Sequence, residues 1–140
     1  MRWLLLILAF AVSIAQAQTY RSFGLIIENE TKEQLVIQAY SALRGHWKPG
    51  TMPEAGQTIG IDQVSSPYVT ESGMIGIGVA GMLYLQTSDG GLISLNWNMP
   101  WAGPANYHAH TYSNYIKIHS RLNQSDPTNL VWLITISSDN

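Results

Sequence analysis

Five tryptophan and tyrosine side chains fall within residues 96–115: Trp97, Trp101, Tyr107, Tyr112 and Tyr115. Rings that carry a polar N–H or O–H suit a surface that is wet on one side and apolar on the other, such as a sugar face or a lipid headgroup layer. Asn98 lies among them and can both donate and accept through its amide. Trp47 stands apart, in a stretch rich in glycine and proline. The ligand-binding candidates are therefore Trp47, Trp97, Asn98, Pro100, Trp101, Tyr107 and Tyr112. The competing reading is that these rings plug one end of a β core.

Other chemistry is thinner. His108 and His110 sit two apart, so on a strand both imidazoles face one side and could share a metal. A third ligand would have to come from His46, His119, Asp62 or Asp126, and nothing in their spacing demands it. Residues 76–81 match G-x-G-x-x-G, but the following residues predict strand rather than helix, and no acidic residue follows about twenty positions on to take a ribose hydroxyl. No Gly-x-Ser-x-Gly elbow and no His-Glu-x-x-His is present, so neither hydrolysis nor another covalent reaction is expected, and no cofactor. A binding module fits better than an enzyme.

The elements that must position these residues read as strands. An apolar stretch at 23–27 gives way to polar turn formers at 28–33, after which Leu35, Ile37 and Ala39 alternate, which predicts strand, turn, strand. Residues 41–53 hold Gly45, Pro49, Gly50 and Pro53 and predict a loop projecting His46 and Trp47. Residues 58–64 alternate until Ser65-Ser66-Pro67 stops them. The apolar run 74–85 predicts a buried central strand bent at its glycines, being too short to span a bilayer as a helix, which takes about twenty residues. Ser88-Asp89-Gly90-Gly91 predicts a hairpin turn, and 92–97 returns from it. Pro100, Gly103 and Pro104 then turn the chain, and another strand leaves from about Tyr107. Residues 115–119 alternate, 123–129 form a polar turn, and 130–136 make a closing strand. No stretch holds a 3.6-residue period. Short strands spaced by turns predict an all-β chain, a sandwich or a barrel.

The chain opens Met1-Arg2-Trp3, continues apolar, and reaches Ala15-Gln16-Ala17, the small-x-small form of a signal-peptide cleavage site. We therefore expect a secretory leader at 1–17, one domain at 18–140, and a protein that acts outside the cell. Cysteine is absent, so neither a disulfide framework nor a thiolate metal site can form. Seven Lys and Arg stand against nine Asp and Glu, with no basic run. Nucleic acid, which is held by clustered cations, is therefore not an expected partner. Strong attraction to anionic lipid is equally unexpected; neutral or zwitterionic ligands fit. Two sequons, Asn29-Glu30-Thr31 and Asn123-Gln124-Ser125, offer glycosylation candidates at Asn29 and Asn123 and suggest surface turns there.

Taken in order, several features together resemble the aegerolysins and, more loosely, the actinoporins. They are the Asn29 turn, the Gly45-His46-Trp47 loop, the glycine-rich apolar strand, the Asp-Gly hairpin, Trp97-Asn98-Met99-Pro100-Trp101 and the closing strand. The resemblance implies a single-domain two-sheet β-sandwich that binds membrane lipids, often sphingolipids, and in many members takes part in pore formation. It further implies a headgroup pocket at Asn98, Pro100 and Tyr107, with Trp101 entering the interface. The chain departs from actinoporins in having only residues 18–22 between the expected cleavage site and the first strand, too few for an amphipathic helix. It departs from aegerolysins in its leader and in Met99, where cysteine is common. Those departures favour a partner-dependent or purely binding role over self-sufficient pore formation. Two other readings use the same residue types: a secreted lectin-like module stacking a sugar on a tryptophan, and an effector or inhibitor whose aromatics meet a protein.

Overall fold

The computed structural model describes residues 19–139, so the expected leader lies outside the described residues. All regular structure within them is strand: β1 (Arg21–Glu30), β2 (Leu35–Arg44), β3 (His46–Trp47), β4 (Thr58–Ile59), β5 (Tyr68–Ser72), β6 (Val79–Thr87), β7 (Leu92–Met99), β8 (Asn106–Thr111), β9 (Ile116–Asn123) and β10 (Asn129–Ser138). Two five-stranded sheets form, ordered β3-β5-β1-β10-β9 and β4-β2-β6-β7-β8. This is the expected all-β sandwich. The first and last long strands, β1 and β10, pair in parallel, which joins the two ends of the described chain in the middle of one sheet.

Alternation builds the core. In β6 every second residue from Val79 to Thr87 is buried, and in β10 Leu130, Trp132, Ile134 and Ile136 point inward. Period-two burial of this kind is what a half-covered sheet requires. The two inner faces meet through rings: Phe23 of one sheet stacks on Trp97 of the other at 6.0 Å and meets Trp132 edge-on at 6.2 Å. The Trp97 indole N–H donates to Thr70 Oγ1 at 3.0 Å, a buried hydrogen bond between sheets. Gly81 makes this possible, because a Cβ there would strike Trp97 Cζ2 and lie 3.0 Å from the Ser41 carbonyl oxygen.

The loops sort to two ends. Residues 45, 73–78, 100–105 and 124–128 gather at one end, and 31–34, 88–91 and 112–115 at the other. At the second end, Asn29 is buried, with Nδ2 donating to the carbonyls of Glu33, Ile59 and Gly60 and Oδ1 accepting from Thr31 N and Oγ1. This corrects the expectation of a surface sequon: the nitrogen a glycan would need is already committed to three backbone carbonyls. Asn123, at the close of β9, is exposed.

Two further expectations are corrected. The strand read over 74–85 begins only at Val79; residues 73–78 form a loop because Gly76 takes φ +85° and Ile77 N closes a turn on the Met74 carbonyl. The alternating segment 58–64 keeps only Thr58–Ile59 as strand, since Asp62 adopts φ +59° and turns the chain.

Replacing Gly81 with alanine should lower stability by about 1–3 kcal/mol, the usual cost of overpacking a filled core. Urea unfolding followed by tryptophan fluorescence reads this as a lower midpoint at constant slope. An unchanged midpoint would mean that Trp97 can leave its place without loss. At the second end, the Thr87 hydroxyl and then the Tyr115 hydroxyl donate to Asp89 and hold its carboxyl below the usual range. A carboxyl depressed in the folded state stabilises above its unfolded pKa, about 3.9, and that contribution is lost as pH falls through the folded value. Asp89→Asn should therefore show a shallower fall in melting temperature below about pH 4 than the parent protein. Parallel curves would remove Asp89 from the acid response.

Candidate functional site

Strand register decides which side chains meet on the outer face of the β4-β2-β6-β7-β8 sheet. Arg44 pairs with Ala80, Ala80 with Asn98 and Asn98 with Asn106, which sets one row across four strands. In the next row Met82 pairs with Asn96 and Asn96 with His108. A β-bulge lies between Ala42 and Arg44, and the extra residue, Leu43, is left exposed. Bulges redirect side chains in this way at sheet ends. The small side chain of Ala80 leaves a trough on this face between the taller residues on either side.

That trough is a groove of about 590 Å³ lined by Leu43, Arg44, Ala80, Asn96, Asn98, Asn106 and His108, with Trp97 and Tyr107 bordering it. Its chemistry is amide-rich, with one guanidinium. Asn98 is the distinctive member: its side-chain oxygen is buried and accepts no hydrogen bond. A buried acceptor without a donor costs about 1–3 kcal/mol, which a ligand N–H or O–H in the groove would recover.

The sequence candidates separate in space. Asn98 and Tyr107 come together at this groove. Trp97 is only 3% exposed and serves as the strut between sheets, so it cannot offer a stacking face. Trp47 is half-buried and packs edge-on against Tyr40 at 6.0 Å and Trp97 at 6.1 Å, backing the strut from the other side. Tyr107 keeps 41% of its surface exposed while its ring closes on Trp132 at 5.3 Å.

Pro100 and Trp101 lie in the neighbouring end loop, in a second cavity shared with Arg21, Pro104 and Pro127. The Arg21 guanidinium sits 4.0 Å over the Trp101 ring, and its Nη2 donates to the Trp101 carbonyl at 3.1 Å. Tyr20 meets the same ring edge-on at 6.3 Å. Tyr112, 67% exposed, is at the opposite end of β8, a strand about 20 Å long. The expected convergence of Trp101 and Tyr112 on one site is corrected: adjacency in sequence is undone by the strand between them. Tyr115 belongs to the Asp89 clamp.

His108 and His110 do share a face, their rings 6.2 Å apart and nearly parallel, with Tyr112 edge-on to His110 at 4.5 Å. Among the described residues no set of three His, Cys, Asp or Glu side chains comes together to hold a metal. His46 instead meets Glu71 at 3.2 Å.

Sequence reading missed Leu43, Arg44, Asn96, Asn106 and Arg21. Only cross-strand register brings the first four together, and the one local signal was Ala80-Gly81, two small residues where a central strand would ordinarily carry bulk.

No protein-family model matches the chain, and no curated protein matches it in sequence. Solved structures do match in fold. IP-1A from Alcaligenes faecalis superposes with a TM-score of 0.66 at 12% identity, over 86% of this chain and 93% of that one. The lipid binding protein Nakanori gives 0.69 at 15% identity, over 93% of this chain and 76% of its own. RahU, solved in complex with a TRIS molecule, gives 0.68 at 9% identity, over 86% and 97%. At these identities the likeness is one of fold, and it supports the aegerolysin-like resemblance at that level.

Proposed function

We propose that the protein binds membrane lipid and that the asparagine-lined groove receives a sphingolipid headgroup region. The observation that carries the reading is the buried, unpartnered Asn98 oxygen beside Arg44, Asn96 and Asn106. A phosphate would accept from the Arg44 guanidinium and from amide N–H groups. The Asn98 oxygen asks for a donor. Sphingolipids carry an amide N–H and a hydroxyl near the phosphate, whereas phosphatidylcholine carries neither, so a diacyl lipid would leave that oxygen orphaned. The fold it shares with a lipid binding protein supports the same reading.

Trp101 at the adjoining end adds apolar burial of about 1–2 kcal/mol. The role is recognition, without a covalent step. It is exercised outside the cell, in keeping with the leader expected at 1–17, and any bilayer-spanning element of a cytolysin is left to a partner protein. The lectin reading shares the amide chemistry but loses its stacking platform, because Trp97 is buried.

Flotation with vesicles of phosphatidylcholine alone, or with sphingomyelin or ceramide phosphoethanolamine added, tests this. Binding should require the sphingolipid, and Asn98→Ala should weaken it roughly tenfold while leaving folding intact. Equal binding to all three vesicles, or none, would overturn the headgroup assignment. Saturable binding on a glycan array in the absence of lipid would favour the lectin.

A further inference from the structure

The loop joining β5 to β6, residues 73–78, leaves Met74 66%, Ile75 73% and Ile77 38% exposed. Such a cluster is unusual for a loop, which ordinarily presents polar side chains; contiguous exposed apolar residues mark an interaction surface. Its only other residues are Gly73, Gly76 and Gly78. Gly78 locks the loop to its neighbour: a Cβ there would lie 2.8 Å from the Trp101 backbone nitrogen and 2.9 Å from the Pro100 carbonyl carbon. Residues 73–78 and 99–105 therefore stand side by side at one end of the sandwich, and neither segment contains a charged side chain. A cation, Arg21, lies over the Trp101 ring, and another, Arg44, pairs with Ala80 just beyond the loop. On the flank, the 124–128 turn carries Asp126, engaged by Asn129 and Thr128.

We infer that residues 73–78 are a membrane-insertion loop, placing Met74, Ile75 and Ile77 in the upper acyl region of a bilayer with Trp101 and Arg21 at the headgroup level. The occupant is lipid rather than protein for three reasons. Protein hot spots are built on Trp, Tyr and Arg, whereas the exposed tip here is aliphatic and without hydrogen-bonding side chains. An indole with a guanidinium on its face, at the base of an apolar tip, is the arrangement that suits the polar–apolar boundary. The tip's main chain is partly self-satisfied, through the bond from Ile77 N to the Met74 carbonyl at 3.2 Å, which permits shallow entry but not deep burial in hydrocarbon.

The inference rests on the lipid reading and gives it an orientation. Val79, the first strand residue after the loop, pairs with Met99, the last before Pro100. Ala80 and Asn98 pair in the next position. A bilayer that takes up the loop thus sets its headgroup layer against the first row of the asparagine groove.

Because the chain contains no cysteine, Met74→Cys gives a single attachment point for an environment-sensitive nitrobenzoxadiazole dye. Ser88→Cys, in the exposed turn at the opposite end, is the control. With sphingomyelin-containing vesicles, the Met74→Cys label should shift to the blue and be quenched by lipids carrying a nitroxide high on the acyl chain, and the Ser88→Cys label should do neither. The double variant Met74→Ser with Ile75→Ser should lose roughly tenfold or more in vesicle partition, from two aliphatic side chains kept in water. Its urea midpoint should match the parent, since both side chains are already exposed. If the parent floats with vesicles while the Met74→Cys label stays water-like and the double variant binds normally, the loop assignment is overturned and the groove reading stands. If the label enters the bilayer but binding is indifferent to sphingolipid and to Asn98→Ala, the loop assignment stands and the groove reading falls. Failure of the parent to bind any of the vesicles overturns both.

Discussion

The hydrogen bond from the Trp97 indole to Thr70, made in the buried space between two sheets, is the constraint on which the rest of the architecture depends. A buried indole N–H usually finds an acceptor, and for Trp97 the acceptor lies on the opposite sheet, so this one bond ties the two layers together. Gly81 yields the space the ring occupies, Phe23 stacks on one side of it and Trp47 closes edge-on. The four residues come from β1, β3, β6 and β7, which makes the ring assembly the joint of the fold. A chain without cysteine cannot tie its sheets together with a disulfide, and here ring packing and the inter-sheet hydrogen bond hold them.

The joint also shapes the outer surface. Trp97 points inward, so alternation turns Asn96 and Asn98 outward, and Ala80, the outward neighbour of the glycine that accommodates the indole, leaves the strand beside Asn98 with little bulk. The groove is thus the reverse side of the core solution. The same strand ends then deliver the chain into its two uncharged loops, 73–78 and 99–105, which touch through Gly78 and the Pro100–Trp101 backbone. A polar groove and an apolar tip share one end because β6 and β7 are paired along their whole length.

Much of the architecture was legible in the residues alone. The Ser88-Asp89-Gly90-Gly91 turn and the strand leaving it stand where turn chemistry and sequence pattern put them, as does the closing strand with its inward Leu130, Trp132, Ile134 and Ile136, whereas the strand entering the turn keeps only the part from Val79 onward. The site was legible in part. Asn98 and Tyr107 lie beside the groove and Trp101 in the adjoining end loop, but the stretch 96–115 was read as one cluster, and a six-residue strand carries Tyr112 to the far end. Hydropathy could not tell a buried strand from an exposed loop over 74–78, because both are apolar; the positive φ of Gly76 decides it, and a glycine's φ is not written in composition. Asn29 misled for the opposite reason. A polar sequon looks like a surface turn, yet this amide replaces water with five hydrogen bonds of its own.

The two asparagines illustrate what separates a structural polar residue from a recognising one. Asn29 and Asn98 both lie low in the surface, but every polar atom of the Asn29 side chain is engaged, so it stabilises the fold and has nothing to offer a ligand. Asn98 holds its oxygen away from water with no donor, a cost the protein bears in the free state. Under the proposed function, that cost sets the selectivity. A site built around an unpaired acceptor rejects a molecule lacking the matching donor more strongly than an apolar pocket rejects one of the wrong size, since the unpaired group then remains buried in the complex as well. Apolar insertion cannot discriminate in this way, because one acyl chain resembles another. Under the proposed function, affinity for a bilayer and choice among its lipids therefore fall to different residues, the first to the uncharged end loops and the second to the amides of β7 and β8.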